Sequence, residues 1–456
     1  MGDRYAIILA AGKGSRMKSP RAKVLHEVGG RTMLGWSVAL AADLGCKKTV
    51  VVVGPDAPDV AAAAGRLVGA ANVCVQLAQS GTANAVGAAA AALGGLKGDV
   101  IVLYADTPLI PVEAGERAFA ELSRGASICV LGFEAAAPGR YGRLVMAVDG
   151  SLDAIVEAND ASAEQLRIGF CNSGVMAAPV ALMFELLGEV RNDNAKGEYY
   201  LTDLVALARG RGLSAAAARC EERDVLGVNS QGELAAAEAA FQEAARTRML
   251  REGVTMTAPE TVWLSHDTRL APGATVEPHV VFGADVHVEA GAVIRAFSHL
   301  EGARVGQDAL VGPYARLRTG ARIGRQAHIG NFVEVKNVKV GEGAKANHLS
   351  YLGDGEIGAG ANIGAGTIFC NYDGFFKYLT LVGENAFVGS NTSLVAPVSV
   401  GAGSYIGSGS VITEDVAPGA LALGRGRQAG KEGWATDFRV SQSALKAAGS
   451  KPEGAV

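Results

Sequence analysis

Near the start of the chain, Leu9 to Met17 read LAAGKGSRM, directly after the apolar run Tyr5, Ala6, Ile7, Ile8. A buried strand that runs into a glycine-rich turn is a common place for backbone N–H groups to hold a phosphate. Two phosphate-loop spellings fail here. G-x-G-x-x-G needs a third glycine where Met17 stands, and the Walker loop needs four residues between its first glycine and Gly-Lys-Ser/Thr. Gly12 and Gly14 would still let amides approach a polyphosphate, and Arg16 and Lys23 would add positive charge beside them. Read alone, these two cations could be solvated charges on a helix; their place just past the glycine loop favours the phosphate role. Asp106, in YADTP, ends the apolar run Val100 to Leu103. A carboxylate there suits a hard cation such as Mg²⁺ that also takes phosphate oxygens, or it is equally a turn residue before Pro108. His348, in ANHLSYLGD, could exchange protons near neutral pH. By itself it reads as a structural or solvent-facing histidine, since six of the seven histidines lie in the C-terminal half.

Two kinds of element must position these groups. Strands are expected at Tyr5–Leu9, Thr49–Val53, Val100–Tyr104 and Ser127–Phe133, with helical stretches at Met33–Leu44 and Asn84–Leu93 between the first ones. Strand–helix alternation with nearly continuous apolar strands predicts an α/β Rossmann-like domain with a mostly parallel sheet, ligands lying at the carboxyl ends of its strands. SQGELAAAEAAFQEAARTRMLRE, residues 230–252, predicts a connecting helix with Ser230 as cap, Glu233 completing a capping box and Gly253 at its end.

Beyond that helix the period changes to six. One aliphatic or aromatic residue per step runs Leu264, Leu270, Val276, Phe282, Val288, Ile294, Leu300, and after a five-residue step Val305, Val311, Leu317, Ile323, Ile329, Val335. Further five-residue steps open Val340, Ala346, Leu352 and then Ile357, Ile363, Phe369. After the interruption CNYDGFFKYLTL come Val382, Val388, Leu394, Val400, Ile406 and Ile412. Hexapeptide periodicity predicts a β-helix of about eight coils, each apolar side chain filling the prism interior. The expected domains are therefore 1–229, a linker helix 230–253, and a β-helix with its tail, 254–456.

Composition narrows the classes. The 456 residues suggest two or three domains, and 49% hydrophobic residues can build sizeable cores. With 42 basic against 46 acidic residues, a general nucleic-acid or membrane-surface binder is not expected. The six cysteines show no C-x-x-C spacing, no signal-type leader opens the chain, and no apolar segment reaches membrane-spanning length. A cytoplasmic protein without membrane insertion is expected. The tail after Trp434, ending SKPEGAV, reads as partly disordered.

LAAGKGSRM followed by Lys23, GTANA at 81–85, YADTP, HLSYLGD, NYDG and KEGW in one chain identify a resemblance covering Tyr5 to about Trp434. The chain resembles the bacterial bifunctional N-acetylglucosamine-1-phosphate uridyltransferases / glucosamine-1-phosphate N-acetyltransferases. That likeness implies a left-handed parallel β-helix and a homotrimer, with acetyl-CoA and UTP as co-substrates and Mg²⁺ as the metal. It implies catalytic roles for Arg16, Lys23 and His348, the last as general base, and a metal site at Asp106 and Asn229. Nucleotide contacts are implied from Leu9, Ala10, Gly12, Gly14, Lys23, Gln76, Gly81 and Thr82. Gln76 is able to offer a uracil edge both donor and acceptor. Sugar contacts are implied from Gly142, Glu157 and Asn172. For the acetyl site it implies Arg318, Lys336 and Lys377 on a sugar phosphate and Tyr351 and Asn362 on the sugar. Ala365, Asn371, Tyr372, Ser390, Ser408 and Arg425 are implied on acetyl-CoA, and Glu334 is considered as a partner orienting His348. Three departures stand out: Ala22 before Lys23 where the family usually has proline, Asn84 where it has histidine, and Ser408 where alanine is expected. Two other readings fit part of the sequence. A single-activity sugar nucleotidyltransferase with a β-helix for oligomerisation or regulation is opposed by HLSYLGD, NYDG and the three cations. A non-catalytic hexapeptide scaffold carrying a nucleotide sensor is opposed by Asp106 with Lys23.

Overall fold

The computed structural model describes residues 2–450. It divides into two compact units, one running to Pro272 and including Val276–Val286, the other formed by Gly273–Thr275 and the residues from His287 onward. In the first unit, β1 (Arg4–Ala10), β2 (Lys48–Val53), β3 (Val73–Val75), β4 (Asp99–Tyr104), β5 (Ile128–Glu134), β6 (Arg143–Met146), β7 (Leu152–Val156), β8 (Phe170–Pro179) and β9 (Ala215–Cys220) form one sheet. Its order is β9-β5-β8-β4-β1-β2-β3, with β6 and β7 appended as a hairpin beside β8. The ladders are parallel except where β8 inserts between β4 and β5 and where the hairpin pairs. Ile7, Val50 and Val102 feed the core on one face of the sheet, and Ile8, Val51 and Ile101 the core on the other. Burial on both faces is why these strands read as unbroken apolar runs rather than alternating ones.

The four expected strands are present within a residue or so at each end, as is the helix Met33–Asp43, capped by the Thr32 hydroxyl accepting from Gly35 N. The expected helix at 84–93 is instead two short ones, Thr82–Gly87 and Ala90–Leu93, interrupted just after Gly87, a residue that costs a helix about 1 kcal/mol against alanine. The helix Gln231–Arg251 is capped by Ser230, whose hydroxyl accepts from Glu233 N, and Gly253 follows at φ 91°. The capping box closes one residue early: the Glu233 carboxylate accepts from Asn229 N at 2.7 Å. The helix start thereby fixes Asn229.

The hexapeptide half is a left-handed parallel β-helix. Every periodic position from Leu264 to Ile412 is buried, none more than 6% exposed. In the second unit one face stacks short strands from Val293–Ile294 through His328–Asn331, Lys345–His348 and Asn362–Ile363 to Leu421–Ala422. The other two faces share Glu334–Val340 and Tyr351–Ile357, continuous seven-residue strands that run across a corner. Two of the three steps of five, Val335 to Val340 and Leu352 to Ile357, fall within these strands, whereas the third, Leu300 to Val305, turns between two separate short strands. At those two corners, with one residue fewer, the strand passes through without a turn. Trp434–Ala447 forms an exposed helix, so this part of the tail is more ordered than its composition suggested. The rest of the expected disorder, 451–456, lies outside the described residues.

Candidate active sites

In the first unit an open cleft of about 350 Å³ lies where β1 and β4 end. Of the expected nucleotide contacts, Leu9, Ala10, Gly12, Lys23, Gln76, Gly81, Thr82 and Asp106 line it. Lys13, Gln79, Tyr104 and Glu198 line it too and were not anticipated. The two loop glycines have different causes. A Cβ on Gly12 would meet nothing within 4 Å, so packing within the protein does not require glycine there and the opening faces the cleft. Gly14 has φ 60°, and a Cβ on it would come 2.6 Å from Lys23 Cβ. It is the residue that lets the loop close over the Lys23 stem.

Lys23 is the hub. Its ammonium donates to Asp106 Oδ2 at 2.5 Å and to Asn229 Oδ1 at 3.0 Å, with the lysine side chain 9% exposed. Asp106 is further tied by its carbonyl, which accepts from Val228 N at 2.8 Å. Gln231 Nε2 donates to Met17 O at 3.1 Å, joining the loop to the start of the long helix. A carboxylate and an amide oxygen thus converge on one cationic point beside the glycine loop. That donor set, two hard oxygens with room for phosphate oxygens, fits Mg²⁺. Arg16 is exposed on the single turn Ser15–Met17 and is not among the residues lining the cleft.

On the base side Gln76 is 5% exposed, and its amide nitrogen donates to Gly81 O at 3.0 Å and Asn84 Oδ1 at 2.9 Å. Both of its N–H groups are therefore used within the protein, which leaves Oε1 as the group Gln76 offers a ligand. Asn84, the departure from histidine, does the orienting. Gly81 has φ 124°, and a Cβ on it would strike Tyr199 O at 2.3 Å. The expected sugar contacts lie together: Asn172 N donates to Gly142 O at 2.8 Å, and a Cβ on Gly142 would approach both Asn172 and Glu157. Burial raises the Glu157 carboxyl, opposed by the Thr202 hydroxyl, which donates to it at 3.3 Å. Tyr104 links the groups. Burial, with Asp106 and Glu157 nearby, pushes its phenol far above the ordinary range, and its ring packs on Gly174 two residues after Asn172.

In the second unit the expected acetyl-site residues fall into two clusters. The first is built by register: Arg318 pairs with Lys336, which pairs with Gly353, while Glu334 pairs with Tyr351 one step along. The buried carboxylate of Asp354 accepts from Asn371 Nδ2 at 2.6 Å, Asn337 Nδ2 at 2.8 Å and Lys336 Nζ at 3.4 Å. Asp354 is an addition to the expected set, and it ties Lys336, one of the cations expected on a sugar phosphate, to Asn371. Tyr372 itself is exposed and bridges to Lys377. Lys336 beside it holds the Lys377 ammonium below the usual lysine range, and Lys336 is raised by its hydrogen bond with Lys377, with Asp354 adding to this. Lys377 is therefore the first of the pair to lose its charge as pH rises. With the pair on a sugar phosphate, as the resemblance implies, KM for that substrate should climb on the alkaline side, and Lys336→Met should move that climb to higher pH while raising KM throughout. Steady-state kinetics over pH would check it; an alkaline limb that stays put in the variant would contradict the coupling.

The second cluster is a column. Leu349 N donates to Asn331 O at 3.0 Å, Gly366 N to His348 O at 3.3 Å, Asn391 N to Ala365 O at 2.7 Å and Gly409 N to Ser390 O at 2.8 Å. Asn331, His348, Ala365, Ser390 and Ser408 therefore occupy equivalent corners of successive coils. Arg425 closes the column, Nη1 donating to Ser408 O at 2.7 Å. Glu334 does not hold the imidazole as expected. It accepts from Arg318 Nη1 at 2.9 Å and faces Arg316 at 3.7 Å. Asn331 Oδ1 faces His348 Nδ1 at 2.6 Å instead. Asn362 stands apart from the cation cluster, on the face of the column, between Lys345 and Phe387.

Residues 6–169 match the MobA-like NTP transferase domain family, and residues 380–414 match the bacterial transferase hexapeptide (six repeats) family. Bifunctional protein GlmU of Hyphomonas neptunium is 58% identical over 98% of this chain and 97% of that protein. Bifunctional protein GlmU of Caulobacter vibrioides is 57% identical over 97% and 96%. That of Azorhizobium caulinodans is 54% identical over 98% of each. With identity above half along nearly the whole of both chains, and a nucleotidyltransferase and a hexapeptide transferase half in the same order, this chain belongs to the family of bifunctional GlmU proteins.

Proposed function

We propose that the chain makes UDP-N-acetylglucosamine in two steps: glucosamine-1-phosphate is acetylated from acetyl-CoA in the β-helix, and uridyl transfer from UTP follows in the α/β unit. What carries this reading is the presence in one chain of a cation set on each unit, one beside Asp106 and Asn229, the other on the same β-helix as the His348 column.

For uridyl transfer, an oxygen of N-acetylglucosamine-1-phosphate attacks the α-phosphorus and the bond to pyrophosphate breaks. Both reactants are polyanions, so the work is positioning and charge neutralisation. Gly12 and Gly14 expose backbone N–H groups to the triphosphate, and Lys23 and Arg16 supply cations to the leaving pyrophosphate. Gln76 Oε1 accepts from the uracil N3–H, with Leu9, Ala10, Gly81 and Thr82 shaping the base pocket. Gly142, Glu157 and Asn172 hold the sugar. Asp106 and Asn229 would hold Mg²⁺, which when bound neutralises phosphate charge. The Lys23 ammonium now bonded to both oxygens would then be released toward phosphate.

For acetyl transfer, the amine must be neutral to attack the thioester. His348 takes a proton from the amine nitrogen, the new C–N bond forms, the C–S bond breaks, and the thiolate leaves to be protonated as free CoA. Arg318, Lys336 and Lys377 meet the sugar phosphate, with Tyr351 and Asn362 on the sugar. Ala365, Asn371, Tyr372, Ser390, Ser408 and Arg425 carry acetyl-CoA.

The working form is a homotrimer. The separation of Asn362 from the cation cluster supports it, as does a ladder of exposed side chains at Tyr314, Phe332 and Leu349, the two rings stacked at 5.2 Å. A monomeric mass by light scattering would remove this part. No helix among the described residues is long and apolar enough to cross a membrane, and a cytoplasmic setting fits the substrates. The test is a coupled assay with glucosamine-1-phosphate, acetyl-CoA, UTP and Mg²⁺, each omitted in turn. Leaving out UTP or chelating the metal should stop the reaction at N-acetylglucosamine-1-phosphate; product formation without acetyl-CoA would overturn the order.

A further inference from the structure

Resting on the reading of His348 as the acetyl-transfer base, the geometry assigns Asn331 as the positioning residue that sets its tautomer. The two side chains stand at the same corner of adjacent coils, and the register pairs Asn331 with His348 directly. Coil spacing in a parallel sheet is about 4.8 Å, so stacking brings side chains at equivalent positions within contact. The contact made is Asn331 Oδ1 to His348 Nδ1 at 2.6 Å. An amide oxygen only accepts, so Nδ1 is the protonated nitrogen and Nε2 keeps its lone pair. The base is thereby aimed away from Asn331.

The next corner up the column is Ala365, which carries only a methyl group. Toward Asn331 the imidazole meets an acceptor; toward Ala365 no long side chain competes for space. A thioester lying along Ala365, Ser390 and Ser408 would then come to the nitrogen able to take the proton. The carboxylate that could have done this orienting, Glu334, is engaged by Arg318. A neutral acceptor also suits the task better than a carboxylate. It fixes the tautomer without adding a negative charge beside the ring. The peptide ladder through Leu349 N and Asn331 O pins the backbone of the pair, so only the side-chain contact is in question.

Two variants separate orientation from structure. Asn331→Leu keeps the bulk and removes the acceptor; Asn331→Asp keeps an acceptor and adds charge. In the leucine variant acetyl-transfer kcat should fall about 10- to 100-fold, with KM for both substrates within about twofold and uridyl transfer unchanged. Long-range ¹⁵N spectra of labelled histidine should show the His348 ring losing its single Nδ1–H form. The aspartate variant should recover most of kcat and move the acidic limb of its pH profile upward, because a carboxylate stabilises imidazolium. Unchanged kcat and an unchanged tautomer in Asn331→Leu would overturn the assignment, as would an aspartate variant as poor as leucine with no shift of the limb. If His348→Ala itself acetylates normally, the base reading fails first. If His348→Ala is inactive while Asn331→Leu is indifferent, this inference alone fails.

Discussion

Asp106→Ala should lower uridyl transfer by at least about 10²–10³-fold, the scale seen when one charge-stabilising group is removed from a transition state, while acetyl transfer stays at the wild-type level. Two effects combine. The proposed cation site loses the carboxylate of its donor pair, leaving Asn229 Oδ1 as a neutral donor. In addition Lys23, 9% exposed, loses its 2.5 Å partner. An ammonium that sheltered is costly to leave unpaired, so the lysine should shift toward whatever anion remains and disturb the loop through its contact with Gly14. Asp106→Asn separates these effects. It keeps an oxygen near Lys23 but removes the charge, so it should restore thermal stability without restoring rate. Measured together, Tm and uridyl-transfer kcat at saturating Mg²⁺ decide the matter. An Asn variant that recovers both would mean that Asp106 only anchors Lys23 and is no metal ligand.

The interior of this protein was legible in its sequence because burial leaves a periodic trace. The step of six from Leu264 to Ile412 marks the prism core position by position, and each of those side chains is buried. The steps of five were also legible as irregularities, though nothing in the spacing told that two of the three are strands passing through a corner. The α/β strands could be read for a related reason: with both faces covered, β1 and β4 carry no charged position beyond their first residues, Arg4 and Asp99. Helical composition misled at 84–93, where Gly87 weighed more than its alanines.

The sites were legible only where a residue belongs to a short contiguous spelling. Lys23 and Asp106 were expected separately; that they touch, with Asn229 beside them, depends on β1, β4 and the long helix meeting, a contact between residues up to 206 positions apart. Tyr104 and Glu198 entered the cleft through tertiary packing, and no local pattern announced them. In the β-helix the missing information was register. Asn331 and His348 are 17 residues apart, nearly the three sides of one coil, so counting along the chain could have paired them. Glu334 looked the better partner because it carries charge, yet it sits on another face and Arg318 neutralises it. Chemistry suggested a carboxylate where stacking put an amide.

His348→Ala should depress acetyl transfer by roughly 10²–10⁴-fold, the usual worth of a positioned general base, and leave uridyl transfer intact. The selectivity follows from the fold. His348 is exposed at a β-helix corner, and no buried hydrogen bond depends on its ring, so removing it opens no cavity and strands only Asn331 Oδ1, which water can satisfy. The loss should depend on pH. A base is useful only while most of the amine is protonated, so the deficit should be largest at neutral pH. It should shrink as rising pH supplies free amine, with hydroxide and buffer taking the proton instead. An added small imidazole base should recover part of the rate if the vacated corner admits it. A deficit that is flat across pH would point to a binding role for the ring. Equal loss of both activities would mean that the two sites are not independent, and the division of chemistry between the α/β unit and the β-helix would fall with it.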